Sequence, residues 1–267
     1  MNDAAFLIGG RFHLRRDLFY GSAFLLIGAA FTSWALRGGW FIPFAWPAVS
    51  FAIVGVAYLV GDASLFGKRS DGSRHWVYMA ALLPYLLFAR VVWLAQVTLS
   101  SEPATSSVNE RLTVSRRLRP QELPPDTVQI CDLTCEFVDP KAFRSRCAYI
   151  CHPILDAGTT DAAELLDFAR SLQPSAKGRL LVHCANGHGR TGMFAAVWLL
   201  AHGFATSADE AIELIQAVRP GVSLRRRQFQ LVRDVGSLLP RSGDPSNTSS
   251  APLASGAADK TRMPPPK

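Results

Sequence analysis

The chain has 267 residues, enough for one or two compact units, of which 49% are hydrophobic and only 18% charged. Its 28 Lys and Arg against 21 Asp and Glu give a net charge of +7, which suits an acidic partner such as phosphate groups or an anionic lipid surface. The apolar residues crowd into the first third, which excludes an ordinary soluble domain and makes nucleic acid a poor fit as partner.

Three apolar stretches fill the first hundred residues. Leu18 to Leu36 and Gly38 to Gly61 are free of charge. A bilayer core of ~30 Å takes about 20 helical residues, so both are long enough to span. The short Arg37-Gly38-Gly39 link makes them a hairpin, with Pro43 in the first turn of the second helix. Trp76 to Ser101 is apolar apart from Arg90 and also holds Pro84. It spans if Arg90 faces other helices or a polar cavity, since a charge near mid-bilayer costs roughly 3 kcal/mol. Otherwise it is a re-entrant or interfacial helix. Trp34, Trp40, Trp46, Trp76 and Trp93 lie near the ends of these segments or in the third, as interfacial anchoring favours. Arg11, Arg15 and Arg16 resemble the basic flank of a secretory signal, but the apolar run is too long and more such runs follow.

Orientation stays open. The basic N-terminus and the Lys68, Arg69 and Arg74 loop place the C-terminal part outside, whereas Arg111, Arg116, Arg117 and Arg119 oppose this. A thiolate nucleophile, argued below, favours the cytoplasm.

These features divide the chain into a membrane domain of about three helices (1–105), an α/β domain (106–241) and a tail (242–267). Within the second, 128–133, 148–151 and 179–183 read as strands. Ala162 to Leu172 has helical spacing after the cap Thr160, and helices are predicted at Thr191–His202, Ala208–Val218 and Leu224–Leu239. Strands alternating with helices imply a central, mainly parallel sheet covered on both faces. The tail is Ser, Pro, Ala and Gly with scattered charge, too poor in apolar residues to fold.

Cys131, Cys135, Cys147 and Cys151 form two Cys-x3-Cys pairs, which invites a zinc reading. The residues between them do not resemble a zinc knuckle, and small apolar fillers on core strands are the simpler reading, with no metal. The fifth cysteine differs. Cys184 and Arg190 enclose five residues between a buried-type strand and an apolar helix, in His183-Cys184-Ala185-Asn186-Gly187-His188-Gly189-Arg190-Thr191-Gly192. Five residues so placed can curl with their backbone N–H groups inward, a nest for a tetrahedral dianion to which the helix N-terminus adds its positive end. Gly187, Gly189 and Gly192 allow the backbone angles and close approach required, and Ala185 and Asn186 complete the nest. Arg190 can bind phosphate through two parallel bonds. The same donors favour the thiolate of Cys184, whose attack on phosphorus gives a phosphocysteine. Thr191 is placed to donate to that sulfur and help it leave. A rhodanese-type sulfur-transfer loop also presents a cysteine, but Arg-Thr at this spacing fits phosphate better.

The run VHCANGHGRTG resembles the signature of the dual-specificity branch of the protein tyrosine phosphatases. Tyr149 to Asp156 resembles that family's Y-x-x-x-P-x-x-D segment, and Arg219-Pro220 with Gln228 its RP…Q ending. The resemblance covers about residues 106–239. It implies a dual-specificity-phosphatase-like α/β fold and a cofactor-free enzyme. It also implies Asp156 as the general acid that protonates the leaving oxygen and then activates water, with Asp161 and Asp132 as rivals. His183 is expected to orient the loop. His188, at its rim, either meets further phosphates or is simply exposed, and Arg225-Arg226-Arg227 either attract anions or start a solvated helix.

The reading is a membrane-bound, cysteine-dependent phosphomonoesterase with its catalytic domain in the cytoplasm. Its substrate is a phosphorylated protein or, alternatively, a phospholipid or phosphoinositide headgroup. An inactive phosphate-binding membrane scaffold is the second class. A transporter is the third, disfavoured because one Arg90 offers few polar groups for a pathway.

Overall fold

A computed structural model describes residues 3–239, with side chains from Leu18 onward. The tail at 242–267 lies outside the described residues. Helix α1 (Asp3–Ala35) turns through Gly38 and Gly39, both at positive φ, into a 3-10 turn at Gly39–Phe44 and then α2 (Ala45–Val60). The hairpin expected from the Arg37-Gly38-Gly39 link forms. Pro43 does not lie in the first turn of α2 but inside the 3-10 turn, and Pro47 takes the helical position. The two helices pack through glycine. A Cβ on Gly28 would lie 3.1 Å from the Ala48 carbonyl oxygen, and one on Gly55 3.0 Å from that of Gly21. Small residues let backbones approach this closely, which is how helices associate where apolar burial gives no drive.

Helix α3 (Trp76–Leu99) completes the apolar part, and residues 18–35, 39–60 and 76–99 are each long and apolar enough to cross a membrane. Pro84 has no N–H to give to the Ala80 carbonyl, and α2 repairs the gap. Trp46 Nε1 donates to Ala80 O at 2.9 Å, and the Tyr85 N–H donates to Ser50 Oγ at 3.2 Å. These pairs, with Phe51 against Phe88, advance in the same sense along both helices, so α3 is not an antiparallel third member of the bundle. Arg90 is exposed on this helix. Trp93 is no interfacial anchor: it is buried against Phe137 and Arg117 of the following domain.

Residues 61–75, between α2 and α3, dock onto the second domain. Lys68 Nζ bonds Asp132, the Thr134 carbonyl (2.7 Å) and Thr134 Oγ1 (2.9 Å). The Cys151 N–H donates to Ser70 O at 2.7 Å. Lys68 is thus paired inside the fold.

The second domain holds a five-stranded mixed sheet: β1 (Thr105–Ser107), β2 (Leu112–Ser115), β3 (Thr127–Thr134), β4 (Ala148–Ile154) and β5 (Arg179–His183), in the order β1-β2-β5-β3-β4. The β1–β2 pair is antiparallel and the other pairings are parallel. Alternation sorts the side chains: Ile130 and Leu181 point to one face, and Cys131, Leu133, Leu180 and Val182 to the other. The first face is covered by the short α4 (Lys141–Arg146) and the loop around Leu118 and Leu123. The second carries α5 (Ala162–Ser171), α6 (Gly189–Ala201), α7 (Ala208–Val218) and α8 (Arg226–Leu238). Helix α6 is buried from Arg190 to Leu200, and a side chain such as Phe194 contributes about 2 kcal/mol by that burial. The predicted cap Thr160 is corrected to Asp161, whose carboxylate accepts the Ala163 and Glu164 N–H groups. Cys131 and Cys151 lie on core strands, while Cys135 and Cys147 flank them. All four thiols are free and buried, and burial pushes each one up, which makes them inert.

Candidate active site

The predicted loop lies between the end of β5 and the start of α6, where a parallel strand hands over to a helix N-terminus. Three consecutive carbonyls are held from outside. Ala185 O accepts the Arg117 N–H (3.0 Å) and Trp93 Nε1 (3.0 Å), Asn186 O accepts Arg219 Nη2 (3.1 Å), and Gly187 O accepts Arg219 Nε (2.9 Å). Carbonyls fixed outward turn the intervening amides toward the concave side, and the Gly187 N–H donates to Cys184 Sγ at 3.3 Å. Gly187 has φ +74°, and a Cβ there would collide with the Ser115 and Arg116 backbone. Gly189 and Gly192 are needed where Gln228 and Val222 press against the helix start.

Arg190 is buried beneath the loop. Glu136, which follows β3 and was not singled out from the sequence, grips the guanidinium in bidentate fashion (Nη2–Oε1 2.6 Å, Nη1–Oε2 2.9 Å), and Nη1 also donates to Ile154 O. Burial opposes the charge on each partner, but the pairing prevails, raising the arginine and lowering the glutamate. Asp156, mostly exposed, reaches Arg190 Nη2 at 3.3 Å. The Nε–H is buried without a partner among the described residues, which leaves the Nε–Nη2 edge, where Asp156 sits, as the side Glu136 does not grip.

The other predicted residues separate. Thr191 Oγ1 is buried without a partner among the described residues and makes no bond to the sulfur, contrary to the expectation. His188 lines the cleft at the loop's rim, partly exposed, where Glu102 holds its Nε2 at 2.6 Å and also reaches Arg219. Of the acid candidates, Asp161 is occupied as a helix cap, and Asp132 is buried behind the loop with Lys68 and Tyr149. Arg225 leans over the Tyr20 ring at 5.8 Å, at the mouth of the site.

His183 is buried, with Nδ1 3.3 Å from Cys184 O and Nε2 2.9 Å from Asp139. Asp132, Asp139 and His183 bring potential ligand atoms within 4.8 Å of one another, but the Lys68 ammonium and Tyr149 hydroxyl already crowd the same carboxylate. Burial opposes the imidazolium, yet Asp139 and Asp132 outweigh it and raise His183 to about 9. The sign follows from a folded-state value above the unfolded 6.5. The stabilisation is full below pH 6.5 and is lost as pH rises through about 9. Urea midpoints of the wild type are expected to fall across that window, and those of His183→Asn to stay flat there.

Residues 134–235, less than half of the chain, match the family model of PTP-SAK, described as a Swiss Army Knife protein, DSP-PTPase phosphatase domain. The chain carries a phosphatase domain. Among solved structures, the active form of Tk-PTP is 22% identical, covering 51% of this chain and 99% of its own, with a TM-score of 0.47. PTPMT1 in complex with PI(5)P is 17% identical over 51% of this chain and 96% of its own, with a TM-score of 0.44. Human DUSP28 is 15% identical over 51% and 95%, also with 0.44. At these identities and scores the likeness does not extend to substrate. No curated protein matches the chain. The phosphatase domain was legible in its contiguous loop. Glu136 and Glu102 were not, because each reaches the site from a distant segment. Arg219 stood in the resemblance without a role.

Proposed function

We propose that the protein is a membrane-anchored phosphomonoesterase that works through a phosphocysteine, with α1 and α2 as the spanning hairpin and the catalytic domain in the cytoplasm. The observation that carries it is the loop whose carbonyls are pulled outward above a buried arginine with a free Nε–H. Such a cradle presents N–H donors to a phosphate dianion directly over Cys184.

The phosphate takes the loop amides and the Nε–Nη2 edge of Arg190, displacing the Asp156 carboxylate from Nη2. The Cys184 thiolate attacks phosphorus, the S–P bond forms, and the P–O bond to the leaving group breaks. Asp156 delivers its proton to that oxygen. In the second step Asp156 accepts a proton from water, the water oxygen attacks phosphorus, and the S–P bond breaks to return the thiolate. Glu136 keeps Arg190 in register throughout. His183 and Arg219 hold the loop, and no metal or cofactor enters.

The test is hydrolysis by the full chain in detergent with EDTA present. The full chain is needed because a cut at 105/106 removes Trp93, Glu102 and Pro103, which hold the loop or its arginine. Wild type is expected to turn over a small aryl phosphate. Asp156→Ala is expected to lose about 10²–10³ on alkyl phosphates and less than about tenfold on an activated aryl phosphate. Equal losses on both would give Asp156 another role. No turnover by folded wild type would favour the phosphate-binding scaffold.

A further inference from the structure

We infer that the substrate is a lipid phosphomonoester whose acyl chains lie along the wall that α1, α2 and α3 give the catalytic cleft, an inference that rests on the phosphomonoesterase reading. The cleft has a volume of about 610 Å³ and its floor is the catalytic loop, including Cys184 and Arg190. One wall comes from the second domain, through Gly221, Ser223 and Arg225. The opposite wall comes from the apolar helices, through Tyr20, Phe24, Tyr58, Tyr85, Phe88 and Val92. These six side chains belong to segments long and apolar enough to cross a membrane.

The wall begins at the phosphate site itself. Trp93 Nε1 touches the Ala185 carbonyl, and Gln96 Oε1 accepts the Asn186 side-chain N–H at 2.9 Å. The helical wall is therefore in direct contact with the loop that forms the anion cradle, and both line one cleft, which leaves little room for a folded protein between them. A phosphate joined through a few atoms to hydrocarbon matches both surfaces at once. Its dianion meets the loop and Arg190, the linker passes Arg225 and the Tyr20 hydroxyl, and its chains meet Phe24, Phe88 and Val92. Phe88 is 47% exposed on this wall. A phosphopeptide would instead lay hydrated backbone against the same aromatic face, leaving its polar groups unpaired. A lipid also arrives by diffusion within the bilayer that the helices occupy.

The experiment uses the full chain in mixed micelles and compares four probes: a small aryl phosphate, glycerol 3-phosphate, dioctanoyl phosphatidate and a phosphotyrosyl peptide. The expected result is a kcat/KM at least a hundredfold higher for the phosphatidate than for glycerol 3-phosphate, which has the same headgroup without chains. Phe88→Ala is expected to lower the ratio of phosphatidate to aryl phosphate turnover severalfold. Turnover of the aryl phosphate and peptide, with phosphatidate no better than glycerol 3-phosphate, overturns the lipid inference and leaves the phosphomonoesterase standing. No turnover of any of the four overturns both.

Discussion

Replacing Cys184 by Ser is expected to reduce turnover of every phosphate ester by at least about 10⁴-fold while leaving phosphate binding within a few-fold of wild type. On the proposed mechanism the two properties reside in different atoms. Binding belongs to the loop amides and Arg190, whose positions are set by Arg117, Trp93, Arg219 and Glu136. Bond formation to phosphorus belongs to the sulfur, which lies within reach of the Gly187 N–H. A serine hydroxyl keeps the shape but has no neighbouring base to remove its proton: His183 is turned to Asp139 and held as the imidazolium. Isothermal titration with inorganic phosphate, alongside turnover, checks both halves. Loss of binding together with turnover would mean that the cysteine holds the loop together and is not the nucleophile.

The second large effect is at Arg190. Lysine there keeps the charge but cannot hold Glu136 by one edge and a phosphate by the other. Turnover is expected to fall by about 10³-fold, in line with removal of a preorganised donor of developing charge. Stability should fall as well. Glu136 would lose a bidentate partner in a buried setting, where breaking such a pair costs about 3–5 kcal/mol. Denaturant midpoints and phosphate affinity both read this out. Glu136→Gln should reproduce the stability loss with a smaller loss of turnover, since Arg190 keeps its charge and its Nε–H. Equal turnover in Arg190→Lys and wild type would remove the guanidinium from the mechanism.

Sequence reasoning went far wherever chemistry is carried by neighbours in the chain. The strand at 179–183, the glycines, Cys184 and Arg190 form one uninterrupted run, and the fold places that run at a strand-to-helix junction. The helices at 162–172 and 208–218 carried clear periodicity, whereas the short strands at 105–107 and 112–115 are too brief and polar to announce themselves. The supports of the loop were hidden for a different reason. Glu136, Trp93, Glu102 and Lys68 meet Arg190, Ala185, His188 and Asp132 across separations of 54 to 92 residues, and no local pattern marks them. The partner of His188 was hidden on the same account, since the carboxylate that holds it belongs to the segment after α3. Trp93 looked like an interfacial anchor, yet it is a hydrogen-bond donor to the catalytic loop. The apolar helices and the phosphatase domain therefore share a site, which composition alone presented as two separate units.

The most direct test is to quench the full-length enzyme during turnover of an aryl phosphate and map the phosphorylated peptide by mass spectrometry. The account predicts a phosphoryl group on Cys184, present in wild type, enriched in Asp156→Ala and absent from Cys184→Ser. A phosphoryl group on any other residue, or sustained hydrolysis by Cys184→Ser, would contradict it.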